Sequence, residues 1–436
     1  MDRADTKTLL LEIYQAAIAA VAPGPALTRA LEHEPVDDRV WLIALGKAAA
    51  PMAEAAVAVL AGRPFQGSQG RAPAGGLIVA PVETPTPHPS VTVIVGDHPE
   101  PGARSLAAAD ALDRLARTIP PGDTVWVLLS GGTTSLVGAP QPGIAADELK
   151  ALYGHLLRSG LDIKEMNRVR KRFTRWSGGR LARSLAHARV GCYIVSDVIG
   201  DDLAAIGSGP LVPDQATARD VREAIVRAGL WDRLGPSLRR HLDEIDRGHV
   251  PETPKPGDPA FDRVQSTLIA TNRLALDAAS RRARERGLVS EIADRPIDGE
   301  AAIAGARIAE TLLAAGHRHE PSRCLILGGE TTVTIGDHDE GSGGRSQELA
   351  LAAARVLRGM PTVALLAAGT DGRDGPTDAA GAIVDGTTWE AVAAAGRDPE
   401  RDLRHHDSYP ALASADALVK TGPTGTNVMD LVIGLS

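Results

Sequence analysis

Six times along the chain, an apolar run that reads as a strand ends in glycine together with a charged or hydroxyl residue. These ends are Ala44-Leu45-Gly46-Lys47, Val95-Gly96-Asp97-His98, Leu129-Ser130-Gly131-Gly132-Thr133-Thr134-Ser135, Ser196-Asp197-Val198-Ile199-Gly200-Asp201-Asp202, Leu327-Gly328-Gly329-Glu330-Thr331-Thr332 and Ala368-Gly369-Thr370-Asp371-Gly372-Arg373-Asp374-Gly375. Segments of helical period lie between the runs. Such alternation leaves few folds open: repeated β-α units build a mainly parallel sheet covered by helices. The predicted fold class is α/β. In open α/β sheets the loops leaving the carboxyl ends of the strands expose backbone N–H groups, and ligands bind there. Six such ends point to a cleft.

The first part of the chain predicts a helix at 8–20, strands at 40–45, 76–80, 91–95, 124–129 and 190–196, and helices at 48–60, 102–118, 146–157 and 217–228. That is one doubly wound unit. The stretch 249–259 carries four prolines, each without a donor and with a fixed φ, so it reads as a linker or exposed strap. Beyond it the pattern predicts strands at 267–270, 324–327, 331–335 and 363–367 and helices at 273–287 and 300–316. The expected division is 1–247 as an N-terminal α/β domain, 248–262 as the linker, and 263–436 as a C-terminal α/β domain with a mixed sheet. A length of 436 residues suits two or three domains.

Composition narrows the function classes. Hydrophobic residues at 43% and charged residues at 23% fit a globular protein and exclude a disordered or collagen-like one. A net charge of −8 argues against nucleic acid or an anionic membrane as the main partner, so an anionic ligand must meet a local cluster of cations. The start of the chain lacks the basic and apolar regions of a secretion signal, which makes the cytoplasm the expected location. Two cysteines, Cys192 and Cys324, each inside an apolar run and without a CxxC, read as core residues rather than metal ligands.

Several residues carry candidate chemistry. The small residues of Ser130-Gly131-Gly132-Thr133 would let amides and hydroxyls close on a phosphate or carboxylate. This is neither a P-loop nor a dinucleotide fingerprint, since Gly46-Lys47 is followed by Ala48 and no GxGxxG stands between a strand and a helix. Lys47 is expected at the first helical position, either as an ordinary helix-start lysine or aiming its ammonium at a transferring phosphoryl group. Asp197, Asp201 and Asp202 repel one another without a cation, and Mg²⁺ shared with substrate phosphates is a natural partner; the other reading is helix capping by Asp201 or Asp202. The run 167–180 packs six cations into an acidic protein, as a solvated helix face or as a source of Arg168 and Lys171 for a phosphate site. Arg345 opens a helix after Gly341, Gly343 and Gly344 and is expected to fork onto a carboxylate or phosphate.

Together these strings resemble the glycerate 2-kinase family, two-domain enzymes with a Rossmann-like N-terminal kinase domain and a C-terminal domain named for its leucine-rich multi-organism fragment. The resemblance spans nearly the whole chain. It rests on Val95-Gly96-Asp97-His98-Pro99, on SDVIGDDLAAIGSGP at 196–210, on GGETTVT at 328–334 with Gly343-Gly344-Arg345 and QELAL at 347–351, on GTDGRDGPTDAAG at 369–381, and on GPTGTNV at 422–428. It implies transfer of the γ-phosphoryl group of ATP to the 2-hydroxyl of D-glycerate with Mg²⁺, in a cleft between the domains. Lys47 and Arg345 match the basic residues central to that site, and Asp197 is the first choice for base or metal ligand, ahead of Asp371 and Asp374. Glu330, Asp371, Asp374, Thr424 and Asn427 are expected to bind substrate or nucleotide. The family pattern differs at Thr133-Thr134-Ser135, Thr174, Ser177, Ser346 and Met429. A homo-oligomer is compatible with this reading. The rivals are a hydroxypyruvate reductase using NAD(P)H, a label some family members carry, and a catalytically silent metabolite sensor.

Overall fold

The computed structural model of the chain describes residues 3–32, 34, 39–62, 70–316, 322–336, 341–360 and 362–436. The chain forms two compact units, Pro23–Ile269 and Met1–Ala22 with Ala270–Ser436.

The unit Pro23–Ile269 is built on strands β1 (Val40–Leu45), β2 (Gly75–Ala80), β3 (Val91–Val95), β4 (Thr124–Leu129), β5 (Arg189–Val195) and β6 (Val264–Ala270), in the spatial order β3-β2-β1-β4-β5-β6. The first five pair in parallel. This is the order of a doubly wound nucleotide-binding sheet, with the winding reversed between β1 and β4. All six residues of β1 and five of six in β4 are buried, as a central strand covered on both faces requires. A satellite core holds the helices Ala146–Leu157, Ile163–Phe173, Ala218–Arg227 and Pro236–Asp246 together through Leu156, Phe173, Ile225 and Leu242.

The second unit has a mixed sheet of β7 (Val289–Ile292), β8 (Arg323–Gly329), β9 (Ala364–Gly369), β10 (Gly381–Asp385), β11 (Leu418–Val419) and β12 (Asp430–Leu435), ordered β11-β10-β9-β12-β8-β7. Only β7 and β8 pair in parallel; the other pairs are antiparallel. Its helices Ala301–Gly316 and Arg345–Leu357 approach so closely that a Cβ on Gly305 would stand 2.1 Å from the Leu349 carbonyl oxygen.

The expected domain limits differ from these units in two places. The helix Arg3–Ala20 belongs with the C-terminal unit, because its apolar face of Leu9, Leu10, Ile13 and Ala17 is buried there and the Tyr14 hydroxyl donates to the Gly369 carbonyl at 2.6 Å. The strand expected to open the second domain, β6, instead sits at the edge of the first sheet beside β5. The segment 249–259 is not a free linker. Glu252 accepts from the Ala218 amide at 2.7 Å and pairs with the fully buried Arg172, while the Thr253 hydroxyl donates to Asp214 at 3.0 Å. The strand expected at 331–335 is reduced to one bridge, Thr332 to Glu300, because that segment leaves the sheet after Gly329. Both cysteines are buried core residues, and burial pushes each thiol up to about 12. No single helix among the described residues is long and apolar enough to cross a membrane.

Gly305→Ala should lower stability by about 1–3 kcal/mol, the usual result of forcing an extra methyl into a close-packed interface. A thermal melt measures this, and an unchanged midpoint would show that the two helices do not approach so closely.

Candidate active site

At the reversal point of the first sheet, the ends of β1 and β4 are tied together. The Lys47 amide donates to the Gly131 carbonyl at 2.9 Å, the Ala48 amide to the Ser130 hydroxyl oxygen at 3.0 Å, and the Thr133 hydroxyl to the Leu45 and Ser130 carbonyls at 3.0 and 2.8 Å. Gly46 is obligatory here: its φ is +122°, and a Cβ would lie 2.2 Å from the Ser130 hydroxyl oxygen. The hydroxyls of Ser130 and Thr133 are therefore committed to the fold, which corrects the expectation that they close on a ligand. What the loop leaves open is backbone. Among the described residues the amides of Gly131 and Gly132 donate to no protein acceptor.

Two side chains frame those amides. Asp197, at the exit of β5, lies so close that a Cβ on Gly131 would meet its Oδ2 at 1.8 Å. On the other side, a Cβ on Gly132 would meet His98 Nε2 at 3.3 Å and Lys47 Cγ at 3.4 Å. Lys47 is exposed and its ammonium has no ion pair among the described residues. It is not at the first helical position as expected, since the helix Ala49–Ala61 begins after an N-cap at Ala48, so Lys47 occupies the preceding turn. Partial burial and the nearby Lys47 ammonium hold the His98 imidazole below its ordinary pKa, which leaves it neutral at pH 7. His98 was legible only as part of a motif. Asp97, the residue before it, is fixed by accepting from the Arg104 and Ser105 amides at 2.9 and 3.3 Å.

The acidic trio is not one cluster. Among the described residues no group of three or more His, Cys, Asp or Glu is placed to share an ion. Asp202 accepts from the Ala204 amide at 2.9 Å, the capping role that was its other reading. Asp201 sits at φ +54° with a buried Oδ1 that has no hydrogen bond. The residues do fit a magnesium ion held mainly by a ligand's phosphates with one or two carboxylates, the usual pattern for that ion, because Asp197 adjoins the open amides and Asp201 has an unused oxygen. In the basic helix Ile163–Phe173, Lys171 and Arg172 are buried, so the run is not simply a solvated face; Arg168 is exposed.

In the second unit Arg345 does form a bidentate fork, but onto the protein itself. Its Nε and Nη2 donate to Asp430 at 2.6 and 3.1 Å, and Nη1 pairs with Glu330. Burial opposes the guanidinium's charge, yet the Asp430 and Glu330 partners raise its pKa above the ordinary value. Burial also pushes the Asp430 carboxyl up to about 7, against the pull of Arg345 and with Asp374 and Glu330 adding repulsion. The helix Arg345–Leu357 has its anion as well. Asp374 accepts from the Ser346 and Gln347 amides at 3.1 and 2.8 Å, and Gly344 permits this approach, because its Cβ would stand 2.3 Å from the Asp374 carboxyl carbon. The open helix start expected at Arg345, and a ligand contact for Asp374, are both replaced by this internal cap. Thr424 donates to the Thr370 carbonyl at 2.6 Å and Asn427 accepts from the Met429 amide at 3.1 Å, so both shape their loop. Asp371 accepts from the Arg373 amide at 3.0 Å. Asp430 was missed because no strand was expected over Asp430–Leu435, the element it opens.

Comparison with known proteins gives two family matches. Residues 9–243 match a family described as a domain of unknown function, DUF4147, and residues 323–430 match the MOFRL family. The chain is 38% identical over its full length to D-glycerate 2-kinase of Thermotoga maritima, covering 99% of that protein, and 37% identical over 97% of its length to glycerate 2-kinase of Pyrococcus horikoshii, covering 93% of it. A relative in Agrobacterium vitis, 35% identical over 98% of the chain and covering 93% of that protein, carries the provisional name hydroxypyruvate reductase. The crystal structure of glycerate kinase from Thermotoga maritima superposes with a TM-score of 0.88, covering 99% of each chain.

Removing the Arg345 guanidinium strands Asp430 among acids, so Arg345→Ala should cost about 3–5 kcal/mol in urea denaturation. A carboxyl whose folded pKa lies above its unfolded value stabilises the fold below the unfolded value and loses that contribution as pH rises through the folded one. The destabilisation should therefore be larger near pH 8 than near pH 5. An equal cost at both would show that Asp430 does not depend on Arg345.

Proposed function

The chain belongs to the glycerate 2-kinase family, and from that premise we propose that it transfers the γ-phosphoryl group of ATP to the 2-hydroxyl of D-glycerate, giving 2-phosphoglycerate and ADP. The observation that carries this reading is the set at the sheet's reversal point: a Lys47 ammonium and two amides, Gly131 and Gly132, without partners among the described residues, and the Asp197 carboxylate beside them. Phosphoryl transfer asks little covalent chemistry of a protein and much positioning and charge neutralisation. Lys47 and the two amides would cradle the γ-phosphoryl oxygens, whose charge is redistributed as the bond to ADP breaks and the bond to the glycerate oxygen forms. Asp197 would orient the 2-hydroxyl and take its proton. A magnesium ion brought by the nucleotide would be held by phosphates with Asp197 or Asp201 and would supply further neutralisation of phosphate charge. In this reading Arg345 is a positioning residue: it keeps Asp430 and Glu330 in place rather than gripping phosphate.

The name carried by the Agrobacterium vitis relative favours a second reading, reduction of hydroxypyruvate. The β1 exit opposes it, because Leu45-Gly46-Lys47-Ala48 lacks the glycine spacing that lets a dinucleotide pyrophosphate reach a helix start.

An assay coupling ADP release to NADH oxidation, with the product position read by phosphorus NMR, tests the proposal. D-glycerate with Mg-ATP should give the 2-phosphate; a 3-phosphate product, or NADH consumption with hydroxypyruvate alone, would overturn it. Lys47→Ala should lower kcat by about a hundredfold or more, the usual cost of one preorganised charge. Asp197→Asn should be impaired as severely, and normal turnover with normal magnesium dependence would remove Asp197 from both roles.

A further inference from the structure

The helix Ile163–Phe173 carries Lys164, Arg168 and Lys171 at i, i+4 and i+7, one stripe of an α-helix. With Asn167, that stripe lines a cavity of about 480 Å³ whose facing wall includes Asp202, Ala204, Ala205, Asp214, Gln215 and Asp220. The charges in the two walls balance in number but not in use. Asp214 accepts from the Thr253 hydroxyl at 3.0 Å and the Ala216 amide at 3.3 Å and lies 3.7 Å from the buried Arg172 guanidinium. Asp220 accepts from the Thr217 amide and hydroxyl at 2.7 and 2.8 Å, and Asp202 accepts from the Ala204 amide. The acids are thus committed to the wall itself.

The cations are not. Among the described residues the side chains of Lys164, Arg168 and Lys171 make no hydrogen bond or ion pair, although Lys171 is only 8% exposed. Burial lowers its pKa below that of an ordinary lysine, with Asp214 and Asp202 pulling the other way. Its Nζ nevertheless reaches the cavity rather than being sealed from solvent, and a bound anion there would supply it with a charge-assisted hydrogen bond.

We propose that this cavity is the nucleotide-phosphate subsite, taking the polyphosphate of a nucleoside di- or triphosphate, with Lys171 at its buried end and Arg168 and Lys164 toward solvent. The inference rests on the kinase reading above and deepens it. Size favours a nucleotide over glycerate, since cavities of roughly 300–1,000 Å³ hold ligands far larger than a three-carbon acid. Connectivity favours it too. The loop leaving β5 begins at Asp197, against the open Gly131 amide, and reaches the cavity wall at Asp202; five residues of chain span at most about 17 Å. Both places are thus served by one short loop.

The test is calorimetric titration of the full-length protein with ADP and with inorganic tripolyphosphate, for the parent, Lys171→Met and Arg168→Gln, beside steady-state kinetics with D-glycerate and Mg-ATP. Both variants should bind both probes at least tenfold more weakly, raise the KM for ATP, leave the KM for glycerate near the parent value, and show a flatter dependence of affinity on salt. If Lys171→Met does not fold, the exposed Arg168→Gln decides alone. Parent-like ADP affinity and ATP KM in a folded variant, with kinase activity intact, would overturn the subsite and leave the kinase reading standing. ADP binding that needs Lys171 and Arg168, in a parent protein that does not phosphorylate glycerate, would uphold the subsite and sink the kinase reading.

Discussion

The hydrogen bond from the Ala48 amide to the Ser130 hydroxyl oxygen, with its companion from the Lys47 amide to the Gly131 carbonyl, is the contact on which the candidate site depends. It locks together two strand ends at the one place where the sheet's winding reverses, so that the loops on either side splay apart and leave a crevice. Because the clamp consumes the side chain of Ser130 and the carbonyl of Gly131, what remains to face a ligand is N–H. Gly46 and Gly131 make the clamp possible by having no Cβ, one where Ser130 crosses and one where Asp197 approaches.

The cations singled out in the two units are partnered differently. In the second unit Arg345 is matched by Asp430 and Glu330, and the helix that follows is capped by Asp374, which leaves a closed electrostatic circuit. In the first unit Lys47, Arg168 and Lys171 are left without protein partners among the described residues. Of the seven lysines in a chain with 47 lysines and arginines, three of the rest are already engaged, with Asp416, Glu252 and Asp378. Of the other four, Lys47 stands at the sheet edge and Lys164 and Lys171 on one helix, where an incoming polyanion completes the charge balance, while Lys150 lies on another helix.

Much of this was legible in the sequence because it is local. The doubly wound α/β class follows from strand and helix periods in succession, and Gly46-Lys47 and Ser130–Thr133 announce themselves by glycine at the end of an apolar run. The misreadings share a cause: each needed a partner distant in sequence. Arg345 looked available because Asp430 lies 85 residues away; Asp374 looked like a ligand group because the amides it caps are 27 and 28 residues back. Strand β12 went unrecognised with Gly434 as its penultimate residue, a position that in fact admits the Leu312 side chain at a distance no Cβ would allow. The division between units misled for the same reason, since composition marks the prolines at 249–259 and says nothing of the helix Arg3–Ala20 joining a sheet made much later.

That helix has a consequence for how the chain is made. Tyr14 meets its acceptor at Gly369, 355 residues downstream. At roughly 5–20 residues per second, a ribosome takes about 20–70 s to supply that partner. Throughout that interval the stripe of Leu9, Leu10, Ile13 and Ala17 has left the exit tunnel with nothing of its own to lie against. Meanwhile the intervening unit, Pro23–Ile269, has all its strands and can fold first. The order of synthesis therefore leaves that apolar stripe waiting for its partners while the unit that follows it in sequence is already complete.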